Sequence, residues 1–254
     1  MREVHEKVIK PLSHLSKRKR KYFIVKLFAK DEVYVDFKHA GGIYARDDVA
    51  KCYFGPYFKR IEDELYKHPS FIKHVPVSER AKYISEMLDR PGGVFIQTDY
   101  SSYESHFSPE MMKSCEFVLY EYMYSKTPGG NGAVGVMKKV LAGVNPIENR
   151  YFNCAILACR MSGEMNTSLG NSFSNLMLYS FVASKLDLEP VGVVEGDDGL
   201  FLAYPDKAPT TEMFTEMGCI IKLNQFKHLS EASFCGLLFD EVDKQIITDP
   251  VKVS

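Results

Sequence analysis

The stretch VVEGDDGLFLA, residues 193–203, constrains the fold of this chain most, because it sets two adjacent acids, Asp197 and Asp198, between two apolar runs. The flanking runs have high strand propensity, and Gly196 and Gly199 bracket the acids as turn residues do, so the stretch predicts a tight β-hairpin. The acids then sit at its tip. A plain solvated turn would use the same residue types, since Asp and Gly are common in turns. The rest of the chain has to separate a turn from a site.

Upstream, the break RPGG at residues 90–93 precedes a short apolar run, 94–98, that reads as a strand ending on Asp99. Pro109 then predicts one helix of about four turns through residue 124. Residues 126–135, KTPGGNGAVG, read as a flexible loop, and a second loop holding Ser162 and Gly163 leads into an apolar helix over 171–186. Helical stretches are expected at 59–68 and 79–88. After the hairpin come a short helix over TTEMFTEMG closed by Gly218, a strand at 219–223 and a second hairpin arm at 232–241. There is no internal repeat and no low-complexity tract.

The order strand, helix, helix, hairpin, helix, strand predicts the α+β class, an antiparallel sheet with helices packed on one face. In such a sheet a strand ending at Asp99 can lie beside the hairpin tip, which would bring Asp99, Asp197 and Asp198 together. Three converging carboxylates repel one another. A divalent cation relieves that, and oxygen-only ligation favours Mg²⁺ or Mn²⁺ over zinc. Two such ions about 4 Å apart serve in-line phosphoryl displacement.

Composition narrows the setting. The chain has 254 residues, 45% hydrophobic and 26% charged, which is enough to bury a sizeable core. No apolar run approaches the ~20 residues of a membrane span, and MREVHEKVIK at the start lacks the apolar stretch of a signal peptide, so synthesis in the cytosol is expected. The six cysteines show no C-x-x-C pair and no histidine at zinc-ligand spacing. The net charge of −1 conceals an asymmetry: residues 1–60 hold 15 Lys and Arg against 7 Asp and Glu. The densest basic piece, KRKRK at 17–21, fits a solvated helix face, a nuclear address or a phosphate-contacting patch.

Three stretches carry a resemblance. DYSSYE from Asp99 to Glu104, SGEMNTSLGN from Ser162 to Asn171 and EGDDG from Glu195 to Gly199 resemble motifs A, B and C of RNA-dependent RNA polymerases of positive-strand RNA viruses, nearest the tombusvirus-like and nodavirus-like group. The middle stretch fits the family's S-G-x-x-x-T-x-x-x-N pattern at every fixed position. The resemblance spans roughly residues 30–240. It implies that Asp99 and Asp197 are the principal metal ligands and Asp198 a supporting one. It further implies that Glu104, standing where the family has Asp, senses the ribose hydroxyl with Asn171. Ser162 and Gly163 would belong to a mobile loop that positions template and incoming nucleotide, with Thr167 supporting it. GCIIKLNQFK resembles motif D, whose proton-donating lysine would be Lys222 or Lys227, and FCG at 234–236 resembles motif E. KDEVYVDFKHAGGIYAR resembles motif F, whose cations hold the triphosphate; Lys30, Lys38 and Arg46 fit, while Gly41 falls near the family's central arginine.

The resemblance thus implies a right-hand polymerase. Residues 1–90 would be partial fingers with the basic segment that admits nucleotides, residues 91–254 the palm with motifs A to E, and the thumb would be largely missing. The expected chemistry is template-directed RNA synthesis from nucleoside triphosphates by two-metal nucleotidyl transfer. RNA template and nascent RNA, nucleoside triphosphates and other viral replication proteins are the implied partners, in replication complexes of the host cytoplasm. The shortness of the chain implies a fragment, a split-segment product or a partial reading frame. The competing class is a non-catalytic RNA-binding remnant, against which stand three intact acids that a binding module gains nothing from clustering. A reverse transcriptase is a weaker option. A hydrolase built on Ser105 and His106 lacks a G-x-S-x-G elbow and leaves the paired acids without a reason. Taken singly, Asp99 could cap the helix after it, Asn171 could be a buried helix polar group, and Tyr120, Tyr122 and Tyr124 could serve packing alone.

Overall fold

The computed structural model describes residues 23–31, 37, 41–240 and 242–248. Its strands are β1 (Val25–Ala29), β2 (Gly42–Arg46), β3 (Val94–Tyr100), β4 (Val144–Glu148), β5 (Asn153–Leu157), β6 (Val191–Glu195), β7 (Asp198–Ala203), β8 (Ile221–Phe226), β9 (Ser233–Phe234), β10 (Leu237–Phe239) and β11 (Ile246–Thr248). Its helices are α1 (Asp48–Leu65), α2 (Arg80–Leu88), α3 (Pro109–Ser114), α4 (Glu116–Tyr124), α5 (Gly130–Leu141), α6 (Thr167–Lys185) and α7 (Thr211–Thr215). The chain divides into two compact units, one of Met1–Ile61 with Glu104–Thr167, the other of Glu62–Tyr103 with Ser168–Ser254.

The first unit is built on a four-stranded sheet in the order β2-β1-β4-β5. β1 pairs antiparallel with β2 and parallel with β4, so the sheet is mixed. Period-two burial along β4 turns Asn145 and Ile147 inward and leaves Val144, Pro146 and Glu148 in solvent. Ile147 closes a small core with Val25 and Met161, against which Leu27 and Tyr44 pack. The helix expected at 59–68 begins eleven residues earlier, because Ala50, Phe54, Phe58 and Ile61 recur on one face and are buried. Phe58 packs against Tyr120 of α4, ring centres 5.5 Å apart.

Two expectations fail in this unit. Residues 126–135 are not a loop throughout: α5 starts at Gly130 despite three glycines at roughly 1 kcal/mol each in lost propensity. Ala133, Val134, Met137 and Leu141 supply a buried stripe that outweighs that cost. The single helix expected from Pro109 is two, capped by the Ser108 side chain and broken at Cys115 (φ −113°, ψ −92°). The break falls directly before Glu116, a fully buried carboxylate whose ion-pair partner, Arg160, comes from a distant stretch of chain.

The second unit holds an antiparallel sheet in the order β6-β7-β3-β8. Alternation sorts its side chains to two faces. Phe95, Val193, Leu200 and Leu202 join a core with Ile84 and Leu88 of α2 and with Phe234 and Phe239. Phe201 points the other way and stacks on Tyr179 of α6, ring centres 3.6 Å apart. Helices therefore cover both faces, not one as expected, since each strand alternates large apolar residues on both sides. The strand expected at 219–223 runs instead over Ile221–Phe226, and the expected arm at 232–241 is the β9–β10 hairpin extended by β11. Among the described residues no helix is long and apolar enough to cross a membrane.

Candidate active site

The hairpin predicted from residues 193–203 is present, and its closing pair is Glu195 opposite Asp198. Only Gly196 and Asp197 remain as the loop. Gly196 has φ +66°, the left-handed value that a two-residue hairpin demands at its first position and that glycine adopts without a steric cost. Asp197 follows it, exposed at the tip.

Register brings the other acid alongside. Thr98 on β3 pairs with Gly199 on β7 as the last pair of that ladder, and Asp99 and Asp198 are the next residue of each strand beyond it. On its other side Asp99 pairs directly with Lys222 of β8. Cross-strand partners share a face, so Asp99 and Lys222 share one, and Asp198 joins them in a charged row at this end of the sheet. Lys227 lies past Phe226, which pairs with Phe95 at the opposite end, roughly 17 Å along the strand from Lys222.

Helix α6 holds the tip from behind. The Gly196 amide donates to Ser172 Oγ (2.7 Å), and Asn175 Nδ2 donates to the Asp197 carbonyl (2.9 Å). A Cβ on Gly199 would fall 2.5 Å from Thr98 Oγ1 and 3.2 Å from Asn175 Nδ2, so any side chain there would push the hairpin off the helix. Ser172 and Asn175 were not singled out from sequence. Their signal was available: two polar residues three apart, hence on one face, in a helix otherwise rich in apolar residues.

The electrostatics of the row are unbalanced. The Asp198 carboxyl is pushed up to about 6, first by burial and then by Asp197, with Asp99 and Glu195 adding to the effect and a hydrogen bond from the Cys235 thiol opposing it. Glu195 is ion-paired with the buried Arg80 (2.8 Å). Cys235 sits in the left-handed region (φ +52°) at the β9–β10 turn, its Sγ 4.0 Å from Glu195 Oε2. Asp99, Asp197 and Asp198 offer oxygen donors only, and the excess negative charge at Asp198 is what a hard divalent cation relieves, so the donor chemistry fits Mg²⁺ or Mn²⁺. Among the described residues no three acidic, histidine or cysteine side chains are placed closely enough to ligate one ion as they stand.

The remaining candidates fall as follows. Ser162, Gly163 and Thr167 lie together in the first unit. The Tyr44 amide donates to Ser162 Oγ (3.1 Å), the Gly163 amide donates to the Tyr44 carbonyl (2.9 Å), and Thr167 Oγ1 donates back to the Met161 carbonyl (2.9 Å). Arg46 is buried beneath this loop. Its Nε donates to Glu164 (2.6 Å), Nη1 to the Phe23 carbonyl (2.6 Å) and Nη2 to Asn145 Oδ1 (2.7 Å), so it ties the loop to the sheet and to the residue before β1. Glu104 is partly buried in the same unit, its carbonyl accepting from the Arg160 amide (3.0 Å). Asn171 belongs to the second unit, is 4% exposed, and takes the Tyr103 hydroxyl on its carbonyl (3.3 Å). Lys30 and Gly41 join across a backbone hydrogen bond of 2.8 Å. Lys38 and the basic run at 17–21 lie outside the described residues.

A family model described as viral RNA dependent RNA polymerase matches residues 47–237. No curated protein matches the chain.

Proposed function

We propose, from the premise that the chain belongs to the viral RNA-dependent RNA polymerase family and is a nucleotidyltransferase, that it joins nucleotides at the sheet end bearing Asp99, Asp197 and Asp198. The observation that carries this reading is the strand pairing that ends at Thr98 and Gly199, just short of Asp99 and Asp198, and that sets Lys222 opposite Asp99, with Asp197 on the glycine-hinged tip that follows β6. Asp99 and Asp197 would hold divalent ions, with Asp198 in support. Bound Mg²⁺ or Mn²⁺ would supply activation of the attacking hydroxyl and charge neutralisation on the leaving pyrophosphate.

The chain's own groups do the rest. Of the two candidate lysines, the pairing of Lys222 with Asp99 supports Lys222 as the one that would give a proton to the leaving group, over Lys227 past the far end of β8. Ser172 and Asn175 hold the tip so that Asp197 meets the substrate in one orientation. Ser162 and Gly163 would position template and nucleotide, and the resemblance supports a ribose-sensing role for Glu104 and for Asn171. The β6-β7-β3-β8 sheet is accordingly proposed as the palm, working on RNA and nucleoside triphosphates in replication complexes of the host cytoplasm.

The test is incorporation of labelled ribonucleotides by the purified chain on a primed RNA template with Mg²⁺ or Mn²⁺. Activity that disappears in Asp99→Asn and Asp197→Asn while RNA binding persists supports the reading. RNA binding without incorporation in the parent chain would establish a non-catalytic remnant instead.

A further inference from the structure

The loop of residues 161–165 is bounded by two buried polar residues, Arg160 and Asn166, 2% and 0% exposed. Both bond to the same carboxylate oxygen. Arg160 Nη2 donates to Glu116 Oε2 at 2.6 Å, and Asn166 Nδ2 donates to that oxygen at 3.4 Å and to the Tyr120 hydroxyl at 3.0 Å. Tyr120 in turn donates to Glu116 Oε2 at 2.9 Å. The guanidinium lies over the Phe107 ring, 4.2 Å from its centre. Glu116 itself is 0% exposed, and among the described residues its second oxygen, like Asn166 Oδ1, has no hydrogen-bond partner.

Such a cluster is a costly way to hold a fold together. A buried ion pair contributes less stability than well-packed apolar residues of the same volume, and each orphaned buried oxygen carries its full desolvation cost. The backbone just before it is strained as well: Ala158 and Cys159 both adopt left-handed φ, +52° and +65°, which persists only where the surroundings over-determine it. Those surroundings are specific. The Cys159 amide donates to the Phe107 carbonyl (2.9 Å), and Asn145 Nδ2 donates to the Ala158 carbonyl (3.0 Å). What the cluster secures is geometry, because one carboxylate fixes both ends of the loop to helix α4.

We infer that Glu116 is a positioning residue: through Arg160 and Asn166 it pins the two ends of the 161–165 loop, so that the loop turns about fixed anchors while its contacts with β2 make and break. This rests on the reading above that Ser162 and Gly163 position template and nucleotide. The two sides of the loop differ in degree. On the β2 side the Gly163 amide and Ser162 Oγ make single, partly buried hydrogen bonds, and only the Glu164 carboxylate, ion-paired with Arg46, is enclosed there. On the α4 side the anchors are fully enclosed, and water cannot compete for them.

The inference is tested by hydrogen exchange together with nucleotide kinetics on Glu116→Gln and Asn166→Ala. Asn166→Ala leaves the ion pair intact, so it stays informative if Glu116→Gln does not fold. Each folded variant should raise amide exchange within 161–165 by roughly tenfold while β3 and β7 exchange as in the parent. The nucleotide KM should rise by about fivefold or more, with kcat within about twofold. Unchanged exchange in the loop, or an equal rise throughout α4 and the β2-β1-β4-β5 sheet, would overturn the positioning role, as would a fall in kcat with KM unaltered. If the parent makes no RNA, the proposed function fails by itself, and the exchange experiment still decides whether Glu116 anchors the loop.

Discussion

Two clusters of charge in this protein are built on opposite plans. At the end of the β6-β7-β3-β8 sheet, acids stand beside acids: Asp198 has Asp197, Asp99 and Glu195 around it, and its carboxyl is held well above the usual range. Around Glu116, in the other unit, the charge is matched and enclosed. Burial alone would lower the Arg160 pKa, yet Glu116 more than offsets that, and the guanidinium is held more firmly protonated than a free arginine. The first arrangement costs stability in order to keep charge where a ligand can meet it. The second keeps charge away from every ligand and uses it to fix distance. Unbalanced charge near the surface therefore marks where chemistry is expected, and balanced charge in the interior marks what holds the chemistry in place.

Mutation should separate the two. Glu116→Ala leaves Arg160 as an uncompensated buried charge, so it should cost about 3 to 5 kcal/mol in a urea or guanidinium titration. A loss under 1 kcal/mol would place the pair in the same energetic class as an exposed one. Asp197→Asn should do the reverse, lowering metal-dependent incorporation by on the order of 10²- to 10³-fold while leaving the denaturation midpoint and RNA affinity near those of the parent. Parent-like incorporation would remove Asp197 from the proposed ligand set.

A smaller effect is expected at the sugar. Asn171→Ala should cost ribonucleotide incorporation about 1 to 3 kcal/mol in transition-state terms and deoxynucleotide incorporation much less. Equal losses for both sugars would make Asn171 a structural residue of its helix.

The smallest effect is a gain. Because the folded pKa of Asp198 is raised from 3.8 to about 6, the folded state binds the proton more tightly than the unfolded one. The metal-free protein should then lose stability as pH rises from about 4 to about 6 and carry that penalty at neutrality. Asp198→Asn should remove it, stabilising the metal-free chain at pH 7 by about 1 to 2 kcal/mol and flattening the pH dependence across that window. A destabilised Asn variant would mean that the carboxylate is held by compensating contacts, and the contrast between the two clusters would fail.

Much of the second unit was legible in the sequence because its signals are local. Gly196 before Asp197 specifies a turn, the apolar run over 94–98 specifies a strand, and Gly218 closes its helix with φ +84° as a residue past a helix end should. The first unit was read less well. Its α5 hides behind three glycines, β4 and β5 carry no turn signature strong enough to announce them, and the break at Cys115 has no local cause. Arg46 illustrates the limit: nothing in the stretch around it announces that two of its partners, Glu164 and Asn145, come from more than ninety positions away.

The sequence by itself determined the hairpin with its acids, the strand that carries Asp99 and the family to which the chain belongs, because turn geometry, side-chain alternation and motif order act over a few residues at a time. Only the tertiary structure decided which lysine faces Asp99, that Ser172 and Asn175 grip the hairpin, and that Glu116 holds both ends of the 161–165 loop. Strand register, helix-to-hairpin docking and the pairing of buried charges depend on residues tens of positions apart. Their cost in conformational entropy is met only by the whole packed unit, so no short stretch of chain records them.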